Sequence, residues 1–198
     1  MNFSKENIKD YLKRDSIQIY REILINENYF KKNANKIDVY IIKSTSVSKI
    51  RYKDLIDKYG KLDVNEYFKI FNIELNEVYE ENPFSFPYFA IYDVTSNKID
   101  ININLIKQIK KIIKSNEIEN IISYKEFYNL VLLHELFHYL DERDKKFDNN
   151  NFSVQIEIFK HIKINKTLNI LKEIAAIEFS KIFLDIEYNP VIFECLIS

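Results

Sequence analysis

The sequence predicts an α+β fold, rich in helix, with a small mixed sheet whose hairpin edge lies over one buried helix. Three observations lead there. Residues 123–141 carry apolar side chains at helical spacing on nearly every face, which is the pattern of a buried helix. Residues 167–185 carry a second such run, with Leu168, Leu171, Ile174, Ala175, Phe179, Ile182 and Phe183 on one broad face. Residues 88–103 instead hold two β-branched and aromatic runs around a turn. At 198 residues a single domain is expected. Residues 1–87 would form its N-terminal helical and strand portion, and 88–185 its core.

The elements follow in order. Residues 4 to about 35 read as one or two helices, from the spacing of Ile8, Tyr11 and Leu12 and of Ile17, Tyr20, Ile23 and Leu24. They are expected to pack across the domain as a lid or brace. Ile37–Ile42 reads as a strand from its β-branched content. Ser46–Tyr59 reads as a helix that stops at Gly60, the one glycine of the chain. Asp63-Val64-Asn65-Glu66 resembles a capping box, and the helix behind it is expected to run on toward Val78 or Tyr79. Pro83 and Pro87 break the pattern.

Tyr88–Val94 and Lys98–Ile103 are strand-like, with Thr95-Ser96-Asn97 as the turn. Asn104 is expected to cap an amphipathic helix, Leu105–Lys114, whose lysines form a solvated face. Ser123-Tyr124-Lys125-Glu126 opens the buried helix as a capping box. Asp141–Asn151 is polar and reads as loop. Residues 153–164 fit either a strand or a helix. Thr167–Asp185 is helix, ending before Asn189-Pro190, and Val191–Ile197 is apolar enough to pack back on the body.

Composition narrows the function. The formal net charge is -1, so no broad basic field favours nucleic acid. Cys195 is the only cysteine and cannot form an internal disulfide. With one glycine, glycine-rich phosphate loops are excluded. Residues 1–6 lack the apolar segment of a signal peptide, and no run is long enough for a membrane helix. A soluble, cytoplasmic protein without nucleic-acid or membrane partners is the expectation.

The chemistry concentrates at His134-Glu135-Leu136-Phe137-His138. Residues i and i+4 share one helix face, so both histidines can turn a ring nitrogen toward one cation. Glu135 stands beside that face, where it can take a proton from water without entering the coordination shell. Two imidazole ligands and an adjacent carboxylate to serve as base are what a zinc hydrolase needs. Two of the three histidines of the chain fall in this motif.

Catalytic zinc takes three protein ligands. Glu173 is the first choice for the third. It lies on the second long helix, 35 residues beyond His138, and Ala176 nearby allows close helix approach. Glu178 on the same helix and His161, the remaining histidine, are the rivals. For a donor to the oxyanion the candidates are Tyr188 and His161, with Tyr139, Tyr92 and Tyr88 behind them. Asp141 or Glu178 would accept the outer N–H of an imidazole.

His134-Glu135-x-x-His138 followed by Glu173-x-x-Ala176-x-x-Phe179 resembles the gluzincin metallopeptidases. Within them it is most similar to the ImmA/IrrE family, whose pattern is HExxH followed by ExxANxFA. The strand-turn-strand ending in Ile101-Asn102-Ile103-Asn104 suits that family too. The resemblance covers roughly residues 88–185. Ile177 stands where the pattern has Asn, Phe137 replaces a small residue, and Ser180 replaces Ala. The resemblance implies a zincin-like fold, one Zn²⁺ held by His134, His138 and Glu173, and Glu135 as general base. It also implies peptide-bond hydrolysis in a protein or peptide substrate, with a transcriptional repressor as the typical target. A metal-binding regulatory module with weak turnover and a toxin-type protease are the alternatives.

Overall fold

The computed structural model describes residues 5–80, 87–144, 151–159 and 162–193. Among the described residues five helices come first: α1 (Lys5–Leu12), α2 (Ser16–Ile25), α3 (Asn28–Lys31), α4 (Ile37–Tyr59) and α5 (Val64–Phe71), with a short 3-10 turn at Ala34–Lys36. Strands β1 (Glu74–Val78), β2 (Ala90–Asp93) and β3 (Lys98–Asn102) follow, then α6 (Ile103–Ser115) and α7 (Tyr124–Arg143). The hairpin β4 (Ser153–Phe159) and β5 (Ile162–Thr167) precedes α8 (Asn169–Leu184). This is the expected α+β class, with a small mixed sheet and a separate two-stranded sheet.

Helix α7 starts where its capping box requires. Ser123 Oγ accepts from the Glu126 N–H at 3.1 Å, and the Glu126 carboxylate accepts from the Ser123 N–H at 2.8 Å. Its leucines, Phe127 and Phe137 are buried, apart from half-buried Leu140. Helix α8 packs beside it, with the Phe137 and Phe179 rings 5.7 Å apart. Ala175 and Ala176 are fully buried and add no bulk to the contacts of α8. On α4, Ser48 Oγ donates to the Ala175 carbonyl at 2.7 Å, so α8 is buttressed by a buried hydrogen bond.

The sheet order is β1-β3-β2, with β1 parallel and β2 antiparallel to β3. Ile99 and Ile101 of β3 are fully buried, which matches the alternation expected there. β2 is an edge strand laid against α7. Because β1 precedes residue 87 and its partner follows it, both portions of the chain build one sheet. The buried apolar side chains likewise form one cluster from Ile8 to Phe193.

Several expectations are corrected. Ile37–Ile42 is not a strand but the first turns of α4. Ile37, Ile41, Ser44, Val47, Ser48, Arg51 and Leu55 point inward at helical spacing, while Val39 and Ile42 are exposed. The helix after Asp63 does not reach Val78. It ends at Asn72, which is left-handed at φ 54°, and the chain turns into β1. Among the described residues the N-terminal segment holds three helices instead of one or two. Asn102 rather than Asn104 caps α6, accepting from the Leu105 N–H at 3.2 Å, while Asn104 donates to the Glu80 carbonyl. Residues 153–159 are strand, paired with 162–167. Pro83, His161 and Cys195 lie outside the described residues.

Among the described residues four non-glycine residues have positive φ: Asn72, Asn97, Glu117 and Asp185. Asn97 belongs to the β2–β3 turn, and its amide donates to the Phe71 and Asn72 carbonyls at 3.2 and 2.7 Å. The turn is fastened to the end of α5 by those bonds. Asp93 holds its other end, accepting from the Ser96 and Thr95 hydroxyls at 2.6 and 2.7 Å and from the Thr95 N–H at 2.9 Å.

Two predictions follow from these turns. Gly60 sits at φ 77°, ψ 170°, a conformation open in practice only to glycine, and an added Cβ would meet nothing within 4 Å. Gly60→Ala should therefore cost backbone strain alone, about 1–3 kcal/mol in urea unfolding; unchanged stability would refute this. The hydroxyls of Ser96 and Thr95, with the Thr95 N–H, hold the Asp93 carboxyl down to about 2. Its contribution to the turn is full above the ordinary Asp value of about 4, and fades as pH falls through about 2. An NMR titration of that carboxyl should show the low midpoint, and one near the ordinary value would contradict it.

Candidate metal centre

The i, i+4 rule places His134 and His138 on one stripe of α7, and α8 brings Glu173 to meet them. His134 Nε2 lies 3.0 Å from Glu173 Oε2 and 3.0 Å from His138 Nε2. His138 Nε2 lies 3.6 Å from Glu173 Oε1. One donor atom from each residue falls within 4.8 Å of the others. Ligands at about 2.0–2.2 Å on a tetrahedral ion stand roughly 3.3–3.6 Å apart; one pair here matches that spacing and the other two, at 3.0 Å, are slightly tighter, so the three residues could hold one metal ion after a small outward adjustment. All three residues are partly buried and line one cavity of about 1030 Å³.

Electrostatics favours an ionised Glu173. Burial pushes its carboxyl up, but the His134 and His138 rings beside it outweigh this and hold it well below the usual range. A carboxylate next to two imidazoles is ready for a cation without first losing a proton.

Glu135 is buried, and its Oε2 accepts from the Tyr92 N–H at 2.8 Å. β2 thus fixes the carboxylate beside the histidines. The bond parity of the hairpin explains the contact. The Phe89 carbonyl accepts from the Asn102 N–H, so residues 89, 91 and 93 face β3 and Tyr92 faces away from it, toward α7.

Among the described residues the other candidates stand apart from this centre or take other partners, while His161 lies outside them. Glu178 does not join the centre. It points to α2, accepting from the Tyr20 hydroxyl at 2.9 Å and from Lys181 Nζ at 3.2 Å. Tyr188 is buried and does not line the cavity. Burial and the Glu126 charge raise its hydroxyl, which has no hydrogen-bond partner among the described residues. Tyr139 turns its ring to Phe71 and Tyr92, and its hydroxyl accepts from Arg143 at 3.3 Å. Tyr92 lines the cavity, but its hydroxyl donates to Asn97 Oδ1 at 3.0 Å. Tyr88 is exposed and lines the cavity as well.

Asp141 does not pair with an imidazole. Its Oδ2 accepts from Lys172 Nζ at 2.5 Å, and its buried Oδ1 has no partner among the described residues. The sequence reading missed Lys172 and the backbone of Tyr92. Asp141 was visible as the residue three positions after His138, but nothing local announces a cation arriving from another helix.

Purified protein is expected to bind one divalent cation per chain, with zinc as the test ion. His138→Ala and Glu173→Ala should each weaken binding by more than the roughly 10–100-fold typical of losing a ligand's hydrogen-bond partner. Wild-type affinity in either variant, read by competition with a zinc chelator, would remove that residue from the donor set. No protein-family model, curated protein or solved structure matches the chain.

Proposed function

We propose that the chain is a zinc-dependent metallopeptidase of gluzincin type, similar to the ImmA/IrrE family, that hydrolyses peptide bonds in a protein substrate. One observation carries this reading: two imidazole nitrogens from α7 and a carboxylate from α8 meet at one point, with Glu135 fixed beside them. That is a hydrolytic donor set with its base in place.

His134, His138 and Glu173 would hold the zinc ion, which would supply Lewis-acid activation of water, bringing its pKa to about 7. Glu135 takes the proton of the attacking water and passes it to the leaving amine. The Tyr92 N–H keeps that carboxylate from swinging away, as proton transfer needs a fixed donor–acceptor distance. The substrate lies along β2, whose outward groups not engaged by Glu135 are the Ala90 N–H and C=O and the Tyr92 C=O. Tyr88, on the cavity wall, is the tyrosine candidate for stabilising the oxyanion, alongside His161, which lies outside the described residues.

A metal-binding module with weak turnover is the second reading. In its favour, buried Ile177 brings hydrocarbon to the cavity where the resembled pattern has a polar Asn.

Glu135→Gln should keep stoichiometric zinc yet lower cleavage of a peptide library by about 10²–10⁴-fold. Retained cleavage would sink the peptidase reading. Zinc binding by the wild type with no cleavage of any library member would favour the module.

A further inference from the structure

We propose that Lys172 and Asp141 form a positioning brace that holds Glu173 within reach of the two histidines. The proposal rests on the metal reading above and adds to it the means by which two helices keep their spacing at the site.

Lys172 immediately precedes Glu173 on α8. Asp141 follows His138 by three residues on α7, so it lies one turn along, close to the histidine stripe. The ion pair between them, at 2.5 Å, ties the two helices together directly beside the candidate ligands. The pair is sheltered. The Asp141 side chain is 3% exposed and that of Lys172 is 19%. Lys172 Nζ also lies 5.9 Å from the centre of the buried Phe152 ring.

Overall stability is a poor reason for this pair. Removing two charges from water costs about as much as their attraction returns, and a well-packed apolar pair of similar volume often serves as well or better. What hydrocarbon cannot supply is a fixed, directional length. Apolar contacts let helices slide by a fraction of a turn, whereas an ion pair with a short hydrogen bond holds one separation. Phe137 and Phe179 bring α7 and α8 together, but they do not set where along its length α8 stops. The brace does so one residue from Glu173. Lys172 and Asp141 both line the cavity without belonging to the donor set, so they act on the metal through Glu173 and are positioning residues.

The test compares the full-length wild type with three variants: Lys172→Met/Asp141→Leu, Glu173→Ala, and the triple combination. Removing both charges together avoids leaving a lone buried carboxylate, so the double variant should fold. Each protein is titrated with zinc against a chelator, and each metal-free form is melted. The double variant should lose roughly 10–100-fold in zinc affinity, with a metal-free melting midpoint equal to or above that of the wild type. Its loss should not add to that of Glu173→Ala, because both act through one ligand.

Wild-type zinc affinity in the double variant would overturn the brace while leaving the metal reading intact. So would an affinity loss accompanied by a lowered metal-free midpoint, or one that adds fully to Glu173→Ala. A wild type that binds no zinc would overturn the metal reading and the brace with it.

Discussion

The contact between α7 and α8 is the constraint on which the site depends. Two of its three donors are close in sequence and would be brought together by any helix. The third comes from a separate helix and arrives only if two apolar faces pack. Phe137 against Phe179 supplies aromatic area, and Ala175 and Ala176 keep α8 slim where it is fully buried. α4 buttresses α8 through the Ser48–Ala175 hydrogen bond. Hydrocarbon therefore selects which helices meet, and polar contacts fix how they meet.

The same logic explains the charges gathered in a partly buried place. Isolated, each carboxylate there would be costly to keep out of water. Each instead has a partner of its own kind: Glu135 a backbone N–H, Asp141 an ammonium, Glu173 two imidazoles. The partners come from a strand and two helices. A small displacement of β2 would release Glu135, and a shift of α8 would separate Glu173 from His134.

Much of this was legible in the sequence, for local reasons. Ser123 and Glu126, Asp63 and Glu66, and Gly60 mark helix ends through contacts within a few residues, and each mark held. The His134–His138 pair is local as well. Glu173 was read from the resemblance and from its place on an apolar helix, and the structure brings it to the pair. The failures have a tertiary origin. Ile37–Ile42 is rich in β-branched residues, yet burial along α4 overrode that preference. Glu74–Val78 carries no apolar alternation because its side chains are exposed or nearly so, and it becomes a strand only through pairing with β3. Glu178 is a rival to Glu173 in the sequence because it shares the same helix. It turned away because Tyr20 and Lys181, on the far side of α8, offered it partners.

The left-handed residues bear on how this chain could be made hardier. With a single glycine in use elsewhere, the chain fills its tight reversals with residues that bear a Cβ, and most side chains are strained in that conformation by about 1–2 kcal/mol. Asn97 cannot be exchanged, because its amide fastens the hairpin turn to α5. Asp185, beyond the last turn of α8, and Glu117, after α6, carry the strain as acidic side chains, which tolerate it less well than asparagine or glycine. The molecule thus keeps a margin of thermal endurance at the Asp185 reversal, open to glycine replacement without disturbing the cavity.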